Sequence, residues 1–285
     1  MLAGCLIWGI NFSVMKFALE TLSPLALTAI RFAIASLVLW LVARSLEPDT
    51  PLPWPLRWRL AGLGVLGNTV YQIGFILGLQ RTTAGNSSLL IASTPLMTAV
   101  LGRALGVERL TAGTKVAIAV GTLGVALVVL AKEVTFSLAT MEGDILTLLA
   151  VLCWAAFTHG VQGVQGRASP LRVAAWTTMG GAIPLILIGL PAVARQDWSA
   201  VTVLTWGAVL YSALFSIVVA YVVWNRAVAQ IGSSRTALLG VTVPLFALAA
   251  AAVALGERPT LVQLGGAALI LASVVLSIRA KRTDG

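Results

Sequence analysis

Apolar residues come in long runs along this chain, and polar residues fall in the short gaps between them. A bilayer-spanning helix needs about 20 predominantly apolar residues. Ten stretches meet that need, at about 2–19, 24–44, 60–80, 84–105, 112–131, 143–163, 171–191, 203–225, 236–255 and 260–278. The runs do not alternate in and out as a membrane strand does; "AIAVGTLGVALVVL" is apolar on every side. Lipid offers the backbone no partners, so helices are predicted throughout. The predicted class is an all-α integral membrane protein. The longest gap, about 45–59, is rich in proline, and no stretch remains for a soluble domain. The first run has no basic leader and no clean cleavage site, which predicts a retained helix.

The pattern is written twice. "TPLMTAVLGRALGVERLT" (Thr94–Thr111) returns as "VPLFALAAAAVALGERPT" (Val243–Thr260), with the same step from Pro95 to Glu108 as from Pro244 to Glu257. Trp8 precedes Pro24 by the same distance as Trp154 precedes Pro170, and Phe75, Ser87 and Leu90 fall on Trp224, Thr236 and Leu239. Two five-span repeats follow, 1–135 and 136–285. An odd number of spans sends the second half in from the opposite side. Such an inverted repeat suits alternating access, because two similar halves can exchange conformations. Duplication as a simple way to build a bundle is the competing reading.

Composition agrees with the pattern: 59% of the 285 residues are hydrophobic and 10% are charged. The net charge of +9 would fit nucleic acid, but its placement argues against that partner. With the N-terminus inside, thirteen Lys and Arg residues fall in cytoplasmic segments and five outside. This is the positive-inside pattern, and it predicts both termini in the cytoplasm of a cell inner (plasma) membrane. Cys5 and Cys153 lie within spans and imply no disulfide framework. No phosphate-binding loop, HExxH or nucleophile elbow occurs, and no His/Cys/Asp/Glu cluster suggests a metal or cofactor.

Polar groups at membrane depth usually face a cavity or each other. The first span carries Trp8, Asn11 and Phe12, and the third carries Asn68, Tyr71, Gln72 and Phe75 at helical spacing. The sixth carries Trp154, Thr158, His159 and Gln162, and the eighth carries Tyr211, Ser212, Phe215, Ser216, Tyr221, Trp224 and Asn225. Rings with amides suit a flat organic solute with polar ends. Trp and Tyr also gather at membrane interfaces, the reading given to Trp54, Trp58, Trp198 and Trp206. Asn68 and Gln72 could equally serve an interhelical hydrogen bond. His159, the single histidine, is a proton switch or a satisfied packing residue. Lys16 and Arg31 are placed near outer helix ends, where they snorkel, form a gate or meet a solute carboxylate. Pro95 and Pro244, inside the fourth and ninth spans, predict kinks. Ala117, Gly121, Gly124, Gly265, Gly266, Ala268 and Ala272 predict close helix contact or a homo-oligomer contact.

"WGINFSVMKFALETLSPLALTAIRFAIA" (Trp8–Ala35) resembles the first two helices of the EamA-type family of the drug/metabolite transporter superfamily, and the "P…GE" ends of the fourth and ninth spans fit it too. The resemblance implies a ten-helix basket whose cavity is walled mainly by helices 1, 3, 4, 6, 8 and 9. Overall likeness within the family is to exporters of aromatic amino acids. It implies a secondary transporter of small organic solutes, not an enzyme. A proton-coupled carrier of other metabolites or drugs is the alternative, with a channel or scramblase and a membrane-embedded lipid enzyme further behind. All ten acidic residues fall at span ends, in loops or in the tail, which predicts transport without ion coupling or with weak coupling through His159.

Overall fold

A computed structural model describes residues 1–47, 52–81, 90–91, 93–107, 111–130, 138–255 and 260–283. Among these residues every regular element is helical. The elements are α1 (Leu2–Leu19), α2 (Pro24–Leu46), α3 (Trp54–Gly64), α4 (Tyr71–Arg81), α5 (Thr94–Ala104), α6 (Ala112–Leu130), α7 (Leu138–Gln162), α8 (Pro170–Ala194), α9 (Val203–Tyr211), α10 (Ala220–Ile231), α11 (Ser233–Gly240), α12 (Val243–Leu255) and α13 (Leu261–Thr283). Two π-helical stretches, Val65–Val70 and Ser212–Val219, join α3 to α4 and α9 to α10. Among the described residues six helical runs are long and apolar enough to cross a membrane: Leu2–Leu19, Pro24–Leu46, Trp54–Gly78, Met141–Gln162, Pro170–Ala194 and Val203–Ile231. Ala112–Leu127 and Leu261–Leu276 are shorter apolar helices.

Several element limits differ from the sequence reading. The third span starts at Trp54 rather than near 60, because Pro53 and Pro55 favour a helix start. That shortens the proline-rich gap. Glu108, Glu257 and Ser87 lie outside the described residues, as do most of the loops that close the repeated phrase. The threonines ending that phrase are described, and both cap the next helix. Thr111 Oγ1 accepts from Thr114 N, and Thr260 Oγ1 accepts from Gln263 N while Gln263 Oε1 accepts from Thr260 N.

Many large apolar side chains face outward, and small and polar residues line much of the helix contacts. On α8, Leu187 and Ile183 are about 60% exposed, at 62% and 58%, whereas Ala174, Thr177, Thr178, Gly181 and Ala182 are buried. Lipid tails are as apolar as Leu, so helix association here rests on close packing and hydrogen bonds. Gly64 shows the closeness: a Cβ there would run into Thr177 O and Gly181 N of α8. On the next turn Asn68 Nδ2 donates to Thr177 O (2.9 Å) and Thr69 Oγ1 donates to Gly181 O (2.7 Å). The first π stretch is therefore bonded to α8.

α2 and α8 pack side by side and are clasped at both ends. At one end Ser169 Oγ and Arg172 Nε donate to Glu47 Oε2 (2.6 and 3.1 Å), and Arg172 Nη2 donates to the Glu47 carbonyl. At the other, Gln196 Oε1 accepts from Ser23 N (2.9 Å) and Gln196 Nε2 donates to Thr21 O (3.0 Å). α6 and α13 pack through the small residues noted above. Gly124 faces Gly266 O and Ile270 N, and Gly121 faces Ser273. Gly265, Ala268 and Ala272 turn outward instead.

Contacts come in reciprocal sets. α1 packs on α12 and α7 on α5; the first π stretch packs on α7 and α8, and the second on α1 and α2. The offset that matches Phe75 to Trp224 carries Val65–Val70 onto 214–219, inside the second π stretch. Pro95 and Pro244 do not interrupt helices from within, as expected from sequence. Each stands in the first turn of a new helix, where a missing N–H costs nothing. The interruption lies just upstream, at Ser93 and at Val241–Thr242. Ser93 Oγ donates to Leu90 O (2.5 Å) and Thr242 Oγ1 to Leu239 O (2.8 Å), so both breaks satisfy their own carbonyls.

Candidate functional site

Four elements bring aromatic rings together. Trp8 of α1 meets Trp154 of α7 edge-on, with centroids 6.4 Å apart and 78° between planes. Trp8 also contacts Tyr221 (6.5 Å) and Trp224 (5.4 Å) of α10. Trp154 contacts Tyr71 (5.1 Å), Tyr221 (5.8 Å) and Trp224 (5.5 Å), and Tyr71 stacks on Phe75 (6.2 Å, 6°). These six rings were all candidates from sequence. Trp8, Tyr71, Phe75 and Trp154 are half-buried, and Tyr221 and Trp224 are buried. Sequence reading missed Phe157, which packs on Trp154 (5.1 Å). Nothing in the sequence singles it out; only the fold sets it against Gly67, where a Cβ would occupy the Phe157 ring.

Trp8 is fixed by a bond to the second π stretch: its Nε1 donates to Ser216 O at 2.9 Å. One turn away Ser212 Oγ donates to Asn11 Oδ1 (2.6 Å). Asn11 thus joins α1 to the π stretch beside the rings.

Other candidates bind neighbouring helices. Asn68 is fully buried and spends its amide on Thr177 O, while its Oδ1 has no partner. Thr158 Oγ1 donates to Trp154 O in its own helix (2.8 Å), and Gln162 Oε1 accepts from the Ser233 hydroxyl (2.5 Å). His159 Nε2 lies 2.7 Å from Thr98 O of α5. A carbonyl cannot donate, so that contact places the proton on Nε2, and Nδ1 stays buried without a partner. Gln72 is half-buried on α4. Phe215, 47% exposed, faces outward and stacks on Tyr211. Trp54 with Trp58 and Trp198 with Trp206 form two exposed pairs away from the cluster.

Arg31 overturns an expectation. It does not snorkel; it is 4% exposed, and its Nε has no hydrogen-bond partner. The reason is position: it lies on the face of α2 shared with Leu27, Phe32 and Ala35, all fully buried. The side chain of Lys16 lies outside the described residues. Trp224 Nε1 and both polar atoms of Asn225 are likewise buried and unpartnered. Among the described residues no group of three His, Cys, Asp or Glu side chains is placed to hold a metal. A cavity of about 490 Å³ opens elsewhere, beside Pro53, Pro55, Leu56, Arg59 and Arg167; both arginines are exposed.

Helices long and apolar enough to span a bilayer, with large apolar side chains on the exterior, define a multi-pass membrane protein. The chain belongs to the EamA-like transporter family, whose model matches twice, over residues 1–130 and 141–279. It is similar to the probable amino-acid metabolite efflux pumps of Salmonella typhimurium (29% identical, covering 97% of this chain and 94% of the relative) and Escherichia coli (29%, 95% and 91%). It is also similar to the uncharacterized transporter YyaM of Bacillus subtilis (28%, 94% and 88%). A solved crystal structure, 17% identical, superposes with a TM-score of 0.85 over 100% of this chain and 97% of its own, which shows a shared fold. The protein is a membrane transporter rather than an enzyme.

Proposed function

We propose that this chain is a secondary exporter of small organic solutes, chiefly aromatic amino acids and related compounds, working by alternating access. The supporting observation is the ring cluster of Trp8, Tyr71, Phe75, Trp154, Tyr221 and Trp224, drawn from both halves of the chain. Offset and edge-to-face rings attract a further ring by about 0.5–1.5 kcal/mol per pair. The efflux relatives support amino-acid-like solutes, and the overall likeness to the aromatic amino acid exporter YddG supports aromatic ones.

The architecture we infer is ten transmembrane helices in two inverted repeats, 1–135 and 136–285, in the plasma membrane with both termini cytoplasmic. Reciprocal helix contacts and matching π stretches support the repeat, and the basic residues support the orientation. Reporter fusions between α6 and α7 and after Gly285 should report outside and inside; finding both on one side overturns the inversion. Solute choice is tested in liposomes. Tyr71→Ala or Trp224→Ala should lower saturable uptake of phenylalanine and tryptophan several-fold more than that of small aliphatic amino acids. Equal loss for both classes, with intact expression, refutes an aromatic site. Uptake without saturation refutes a carrier.

With acidic residues near water, the solute gradient itself drives the cycle in this reading. A ligand shifts a two-state balance only through differential affinity. Uphill accumulation under an imposed proton or sodium gradient overturns this uncoupled cycle.

A further inference from the structure

Arg31 is a cation buried in a membrane span, and such a group is costly unless something pairs with it. Among the described residues no ion pair is made to it. The ion pairs Arg81–Glu142 and Arg172–Glu47, both at 3.1 Å, lie elsewhere and involve other arginines. The Arg31 Nε has no hydrogen-bond partner at all. A guanidinium carries five donors in a planar fork that fits a carboxylate with two parallel bonds.

Its position gives it a role. α2, which carries Arg31, packs on the second π stretch, and Tyr221 is the second residue of α10, which follows that stretch. Phe32, the residue after Arg31, packs in one core cluster with Tyr221, and Trp8 and Trp154 pack against that cluster. The unpaired cation thus lies on the buried side of α2 whose neighbour Phe32 shares a core cluster with the aromatic rings.

We propose that Arg31 is the carboxylate-recognition residue of the solute site: it pairs with the acid group of an amino-acid-like solute whose ring is held by Trp8, Trp154 and Tyr221. This rests on the exporter reading above. It adds that the site selects anionic groups, so that aromatic amines and amides are poor solutes. It also explains why a buried cation is kept: the solute is its missing partner.

The experiment is binding to the purified full chain in nanodiscs, followed by tryptophan fluorescence and thermal shift. The probes are L-phenylalanine, 3-phenylpropionate, phenylalaninamide and L-leucine. The parent protein should bind the two aromatic acids more tightly than the amide. Arg31→Gln should weaken both acids by about 10- to 100-fold, the range for a lost hydrogen bond to a charged group, and leave the amide unchanged. Arg31→Lys, which keeps the charge without the fork, should fall between. Without solute, Arg31→Gln should melt no lower than the parent, since it removes an unpaired charge. A lower melting point, unchanged acid binding, or equal loss for acids and amide each overturns the assignment. If leucine binds as well as phenylalanine and still depends on Arg31, the aromatic reading fails and the carboxylate role stands. If aromatic probes bind without preference for the acid, the reverse holds.

Discussion

Trp8 and Trp154 each stand sixteen residues before a helix-starting proline, Pro24 and Pro170, and their rings meet edge to face at 6.4 Å. Each also contacts Tyr221 and Trp224. Matching positions in the two family-model matches thus converge on one another. Only Trp8 is tethered by its indole nitrogen among the contacts described, through Ser216 O.

That tether separates two functions of one ring. Trp8→Phe keeps an aromatic face and removes the hydrogen bond, so it should lower stability by about 1 kcal/mol and leave preference for aromatic solutes in place. Trp8→Ala should lower affinity for aromatic solutes as well. Because the rings touch, the Trp8→Ala/Trp154→Ala double variant should not show the sum of the single effects. Melting curves and solute titrations on the four proteins check this.

The contact of α3 with α8 sets a second expectation. Gly64→Ala puts a methyl group against Thr177 O and Gly181 N, which are backbone atoms that cannot swing away. Overpacking of this kind costs about 1–3 kcal/mol. Gly62, two residues earlier, has nothing within 4 Å of an added Cβ. Gly62→Ala should be neutral or stabilising, because Ala is the better helix former by about 1 kcal/mol. Thermal unfolding in detergent compares the two.

Glu47 closes one end of the α2–α8 pair by accepting from Ser169 Oγ and Arg172 Nε. The pair is only partly exposed, at 12% for the Arg172 side chain and 28% for Glu47. Glu47→Ala leaves Arg172 without its anion and should lower stability by about 1–2 kcal/mol, below the cost of breaking a fully buried pair. Gln196→Ala, at the opposite end, frees neutral groups only and should cost less. Chemical or thermal denaturation of both variants orders them.

His159 donates to Thr98 O at 2.7 Å and joins α7 to α5. His159→Leu removes the donor and should cost about 1 kcal/mol of stability, whereas His159→Gln can still reach an oxygen. Downhill uptake by His159→Gln should keep the parent's rate and its pH profile. A flattened profile would instead assign the histidine to proton coupling.

The sequence by itself determined the membrane class and the helical content. A bilayer imposes a fixed length on every apolar run and forbids an unpaired backbone, so both can be read without knowing what packs against what. It also displayed the duplication, because spacing such as Pro95 to Glu108 and Pro244 to Glu257 survives in one dimension. Nine rings could be named, since rings and amides at membrane depth stand out from Leu and Val, but only the fold shows that six of them meet. What each polar residue does was decided by tertiary structure. Asn68 and Asn225 give the same signal in sequence, yet Asn68 reaches a carbonyl of α8 and Asn225 is left without a partner. Pro95 and Pro244 sit in helical runs by composition, but the chain breaks just before each and makes them helix starts. Arg31 lies on the second turn of α2, where hydropathy suggests a side chain reaching for water. Which side of a helix faces its neighbours depends on residues far away in sequence, and here it turned the guanidinium inward.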